Sequence, residues 1–178
     1  MPRYDASQAE VLVFTFKEGV LAAMAHDLKL KVTKLTVDVD GTKVRAELDA
    51  SSLRVVSPMK DGAENPGALP KMLYGEIEKN AAGDVLDAKR HPTIVFETTA
   101  VTDSQIVGRL TLKGQSRELT GKRNGATAEF KFDQRDFGIK PFTAMLGTLK
   151  VKPEVTVRIS LSREGEGRGE GEPPIQSP

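Results

Sequence analysis

The sequence predicts an all-β protein, an antiparallel barrel of about eight strands with one short helical insert. Three observations predict it. Apolar and polar residues alternate in one short run after another, which is the period of a half-buried strand. Turn pairs such as Asp40-Gly41 and Asn124-Gly125 separate those runs. Only one stretch switches to helical spacing, so no alternation of strand and helix builds a parallel sheet. The length of 178 residues suits one domain.

Residues 11–16 are rich in Val and Phe and form the first strand. Its inward face is open: Leu12, Phe14 and Phe16 compete with Val11, Val13 and Thr15. Lys17 shares parity with the second set, which favours Phe14 and Phe16 inside. Residues 18–25 form short helical turns or a wide loop. Residues 26–40 carry Leu28, Leu30 and Val32, then Leu35, Val37 and Val39, each at spacing two. The phase flips between Val32 and Leu35, as a bulge would cause in a strand that must bend. Asp40-Gly41 then predicts a type I′ hairpin turn. Beyond it Val44, Ala46, Leu48 and Ala50 alternate with charged residues, giving one dry and one wet face.

Residues 57–70 hold Pro58, Gly62, Pro66, Gly67 and Pro70 and read as a loop. Over residues 71–88, Leu73, Ile77, Ala81 and Val85 lie four apart, a helical stripe that Gly75 and Gly83 divide into two short helices. Pro92 ends that segment. Strands resume at 93–102, 105–113, 117–123, 127–134 and 154–161. The domain thus covers residues 1–161. Residues 162–178 are rich in Gly, Glu and Pro with Ile175 as the one bulky apolar residue, so a disordered tail is expected.

Net charge is +1, from 26 basic and 25 acidic residues. That balance, with aromatic residues at 5% and no Trp, argues against a nucleic-acid partner. The chain has no cysteine, which removes disulfides, thiolate metal ligands and a Cys nucleophile. No apolar run reaches the length of a membrane span, so no stable membrane insertion is expected, and the cytoplasm is the expected compartment. Two histidines without cysteine are too few for a zinc site, and no cofactor motif occurs. Catalysis has little footing: there is no Gly-x-Ser-x-Gly elbow and no phosphate loop.

Four segments, in order, resemble the YceI-like family of polyisoprenoid-binding, lipocalin-like proteins. They are Ala25-His26-Asp27-Leu28-Lys29-Leu30, the stretch at 85–98 with Pro92 and Ile94-Val95-Phe96-Glu97-Thr98, the Gly108-Arg109-Leu110-Thr111 hairpin ending at Leu119, and Arg135-Asp136-Phe137-Gly138-Ile139. The resemblance implies an eight-stranded lipocalin-like barrel whose apolar interior takes an isoprenoid chain, such as that of a polyprenyl phosphate or a quinone.

The candidate lining residues are Phe14, Phe16, Leu28, Leu30, Phe96, Leu110, Leu112, Phe130 and Phe132. Such a wall would hold a long apolar ligand by burial alone, at about 0.8 kcal/mol per methylene. The alternative is a filled core acting through its surface, since eight strands are just wide enough for either. Residues 137–149 hold Phe137, Phe142 and Met145 between Gly138, Pro141 and Gly147, and form either a flap over the ligand or a connection packed on a barrel end. His26, Arg135 and Lys140 are the candidates for holding a phosphate or carbonyl head group. A second copy would pair through an exposed strand edge or this apolar segment, giving a homodimer.

Overall fold

In the computed structural model, which describes residues 2–18, 26–144, 149–162 and 175, the alternating runs become strands. In chain order these are β1 (Arg3–Asp5), β2 (Ala9–Thr15), β3 (Lys17–Glu18), β4 (Asp27–Val32), β5 (Leu35–Asp40), β6 (Lys43–Asp49), β7 (Leu53–Lys60) and β8 (Ala63–Glu64). After the helical insert come β9 (Thr93–Val101), β10 (Gln105–Leu112), β11 (Gln115–Asn124), β12 (Thr127–Asp133), β13 (Thr143–Ala144), β14 (Leu149–Val151) and β15 (Glu154–Leu161). Among the described residues no helix is long and apolar enough to cross a membrane.

Twelve of these described segments share one antiparallel sheet, and their pairings return on themselves. β4 and β5 are halves of one strand, and β6 and β7 are halves of its partner: β5 pairs with β6 while β4 pairs with β7. β6 also pairs with β9, the order runs on through β10, β11, β12, β15 and β2, and β2 pairs back onto β4. Joining the halves leaves eight strands in a ring. β1, just ahead of β2, continues the seam by pairing with β5.

The bend lies where the sequence changes phase. Thr33 and Lys34 separate β4 from β5, and residues 50–52 separate β6 from β7. Backbone groups released there are taken up by Ser52, which is almost fully buried. Its carbonyl accepts from the Thr33 N–H and hydroxyl at 3.0 and 2.7 Å. Its Oγ accepts from the Lys34 N–H at 3.1 Å and donates to the Asp49 carbonyl at 2.8 Å.

Three local expectations are corrected. Asp40 pairs with Lys43, so the hairpin turn is Gly41-Thr42. Positive φ is needed at Gly41 only, which fits a II′ turn and not I′. Residues 57–60 are not loop, because β7 runs through Pro58, with Val56 as an extra residue opposite the Lys29–Leu30 step. The insert is one continuous stretch and not two helices: a 3₁₀ turn (Lys71–Leu73), α1 (Tyr74–Asn80) and a wider π turn (Ala81–Val85) follow without a break. Gly83 is absorbed by the change of pitch. The Glu78 carboxylate anchors α1 to the barrel by accepting the Val55 N–H at 3.1 Å.

Two rings meet inside the barrel. Phe96 and Phe130 meet edge to face with centroids 5.1 Å apart. Both rings lie over glycines. A Cβ on Gly108 would sit 2.3 Å from the Phe96 ring, and one on Gly121 would sit 2.7 Å from the Phe130 ring. A backbone carbonyl closes each site from a second side, Glu97 for Gly108 and Glu129 for Gly121. Gly108→Ala and Gly121→Ala should therefore each lower stability by about 1–3 kcal/mol, the usual result of overpacking. Urea unfolding checks this, and unchanged midpoints would mean the rings move freely. Ser52→Ala should cost about 1–3 kcal/mol by the same measurement, since it strands the Lys34 N–H at the bend.

Candidate functional site

The strand registers place Thr15, Asp49, Thr93, Leu112, Asp133 and Glu154 at one end of the barrel. That end is opposite the hairpin at Gly41. Two structures flank it. One is the helical insert, which leaves β7 and β8 and returns to β9. The other is a small sheet in the order β13-β14-β3, where Lys150 pairs with Glu18 and with Thr143. The apolar segment after Phe137 thus becomes a hairpin tied to the extension of β2. Residues 145–148, including Met145, lie outside the described residues.

Between these flanks the barrel holds a cavity of about 430 Å³. That is within the roughly 300–1,000 Å³ of small-molecule sites, and about three times an apolar cavity of roughly 150 Å³ that stays dry and takes up benzene. The interior is therefore open on one side of the aromatic pair. All eight strands contribute wall. Leu28, Leu30 and Val32 come from β4, Ala46 and Leu48 from β6, and Ile94 and Phe96 from β9. Leu110 and Leu112, Leu119, Phe130 and Phe132, and Val155, Val157 and Ile159 follow round the ring. The insert adds Leu69, Ile77, Ala81, Val85 and Leu86, and the small sheet adds Phe142, Ala144 and Val151. Ile77, Ala81 and Val85 of the helical stripe thus face the cavity, while Leu73 is exposed and does not line it.

Of the expected lining residues, Leu28, Leu30, Phe96, Leu110, Leu112, Phe130, Phe132 and Phe142 do line the cavity. Phe14 and Phe16 do not. On β2 the inward set is Val11, Val13 and Thr15. Phe14 and Phe16 are buried on the outer face with Leu12, Met59 and Ile175. Lys17 does not report the parity of β2, because β2 ends at Thr15 and Lys17 belongs to β3, after a break at Phe16. Phe137 is fully buried against Phe132, with centroids 5.3 Å apart, and stands behind the wall.

Of the three head-group candidates only His26 faces the cavity. Arg135 is turned away by its own 3₁₀ turn: Asp133 caps it by accepting the Arg135 N–H at 2.9 Å, and holds the guanidinium at 2.6 Å. Lys140 is exposed because Gly138, in the left-handed region, turns the chain so that Ile139 points in. Polar residues that the sequence did not single out are Asp49, Asn80, Gln134 and Lys150. Gln134 is buried, donating its side-chain amide to the Lys152 carbonyl at 3.2 Å. Lys150 was hidden by its segment, too short and broken to show alternation. His91 instead packs on the Gly114 turn.

Asp49 and Asp133 sit at this end with their carboxyls held below the ordinary carboxylate range. For Asp49 the Ser51 hydroxyl is the first cause and the Ser51 N–H the second. For Asp133 the first cause is the hydrogen bond from the Arg135 side chain. Both keep the charged form favoured where the strands end.

A profile of the YceI-like domain matches residues 4–162. Comparison with curated proteins gives no match. Among solved structures the fold is similar to BcnA of Burkholderia cenocepacia, with 20% identity and a TM-score of 0.55 over 86% of this chain and 94% of that one. It is also similar to a polyisoprenoid binding domain from Saccharophagus degradans implicated in plant cell wall breakdown. There the identity is 10% and the TM-score 0.53, over 89% of this chain and 94% of the other.

The depressed carboxyls set a pH dependence. A carboxylate whose folded pKa lies below its unfolded value of about 3.9 stabilises above that value, and loses the effect as pH falls through the folded pKa. The urea midpoint should therefore fall below about pH 4, and Asp49→Asn and Asp133→Asn should each make that fall shallower. An acid limb identical in both variants would mean that neither carboxylate contributes.

Proposed function

The chain belongs to the YceI-like domain family, and from that premise we propose that it binds an apolar, isoprenoid-like small molecule inside the barrel and carries or stores it without converting it. The observation that carries this reading is the cavity wall, apolar on every strand of the ring. A polyprenyl phosphate or a quinone with an isoprenoid tail is the expected class of ligand. The name of the Saccharophagus degradans domain, a polyisoprenoid binding domain, supports the same class.

Burial would supply the affinity, at about 0.8 kcal/mol per methylene removed from water. Selection of the head group would fall to polar residues at the open end. His26 and Lys150 come from different elements yet border the same cavity. Either could meet a phosphate or carbonyl oxygen. Asp49 and Asn80 belong to the barrel wall and the insert. A spread of polar groups over several elements suits orientation of a head group better than proton transfer at one atom. The cytoplasm is the compartment we propose, in keeping with a chain without cysteine.

Native mass spectrometry with organic extraction, on protein purified from its own source, tests the proposal. A long-chain isoprenoid or quinone at near-equal stoichiometry is the expected result. A clean apo mass with no uptake of added polyprenyl lipids would overturn it. Phe132→Asp and Leu112→Asp should abolish retention, because each places a charge in the apolar wall. Ala46→Leu should weaken uptake by about fourfold for each methylene-sized group it displaces. Folded variants that carry ligand as before would place the site elsewhere.

A further inference from the structure

The outer face of β2 is not built for water. Leu12, Phe14 and Phe16 occupy alternate positions there, yet each is at most 4% exposed. Ile175, from the C-terminal tail, belongs to the same buried cluster. The residues directly opposite on β4 and β15 share this face. They include Lys29 and Lys31, with Thr156 and Arg158 on the other side. Arg158 lies over the Phe14 ring at 5.6 Å and pairs with Glu129 at 3.2 Å, while Lys31 pairs with Glu10 at 3.5 Å. Thr156 is 1% exposed, and among the described residues its hydroxyl has no hydrogen-bond partner.

We propose that this face is a docking surface for the protein's own C-terminal segment, with Ile175 as its anchor. The apolar stripe explains the anchor. Charge explains the rest of the segment: residues 163–174 carry Glu164, Glu166, Glu170 and Glu172 against Arg163 and Arg168. An acidic segment suits a face that carries Lys29, Lys31 and Arg158.

The tether is long enough. β15 ends at Leu161, which pairs with Ala9 at the start of β2. From Ala9 to Phe16 the stripe runs about 23 Å at ~3.3 Å per residue. The thirteen residue steps from Ser162 to Ile175 reach up to about 43 Å. Four glycines, then Pro173 and Pro174, precede Ile175 in the sequence. A short tether holds its end at a millimolar effective concentration, so a single apolar anchor with weak charge pairing suffices. The docked segment backs β2 from outside, and β2 supplies Val11, Val13 and Thr15 to the cavity. It also keeps the stripe from pairing with a second copy.

The absence of cysteine makes a direct test possible. In the full chain, Leu12→Cys with Ile175→Cys, and Met59→Cys with Ile175→Cys, are oxidised at low protein concentration. Met72→Cys with Ile175→Cys is the control, since Met72 is 85% exposed on the insert. Intrachain disulfides should form several-fold faster in both test pairs than in the control. The Met59 pair alone decides if Leu12→Cys does not fold. Equal rates in test and control would overturn the proposal, as would a disulfide-linked dimer as the main product. Ile175→Asp in the full chain should raise the binding of an apolar fluorescent dye, and no rise would count against the anchor.

Discussion

Everything in this protein depends on how a strongly twisted sheet is made to close. A ring of eight antiparallel strands needs its members to tilt and bend. Here the bending is concentrated at one seam, where β4 passes into β5 and β6 into β7. Opening a ladder there releases backbone donors and acceptors in a half-buried place, and unpaired groups in such a place are costly. Ser52 takes up three of those groups, the Thr33 and Lys34 N–H and the Asp49 carbonyl, and the Thr33 hydroxyl besides. With the seam satisfied, one long hairpin serves both sides of the ring, pairing with β9 through β6 and with β2 through β4. A straight hairpin could not do so, and the sheet would stay open with two bare edges.

Closure fixes which side chains share the interior, and the balance of small and large ones then divides it. Inside the barrel Gly108 and Gly121 give up their side chains so that Phe96 and Phe130 can meet. Toward the end where Thr15 and Asp133 lie, the insert and the small sheet stand at the sides. The cavity is thus a consequence of where aromatic volume is placed along the strands. Its volume is set by the ring pair below and by Phe132 and Phe142 nearer the opening.

Much of this was legible in the sequence, for a physical reason. Where one face is wet and the other dry, alternation reports the strand and its orientation together, as in β6, where Ala46 and Leu48 face in and Arg45 and Glu47 face out. The bend too was visible as a change of phase after Val32. Tertiary pairing decided the rest. β7 carries Pro58 and reads as loop, yet it is a strand because β4 needs a partner along its whole length. Lys150 and Gln134 could not be found, because each reaches the cavity through a turn whose direction depends on Gly138 or on pairing with β3. Arg135 and Lys140 looked equivalent to them in sequence, but a two-residue carboxylate pair and a left-handed glycine turn them outward.

β2 is the most informative strand, because alternation has no power where both faces are dry. Val11 and Val13 on one side and Leu12 and Phe14 on the other are equally apolar, so parity had to be borrowed from Lys17, which lies past the end of the strand. A strand of this kind is normal in a sheet covered on both faces. In a single-walled barrel it implies that something outside the wall excludes water. The outer residues are larger than the inner ones, which suits a division of labour: small side chains leave room for a cavity, and large ones make an external contact area. Ile175, the one bulky apolar residue of the tail, meets that area. A segment that composition alone would assign to solvent thus gains a reason for its single isoleucine from a strand whose pattern was ambiguous.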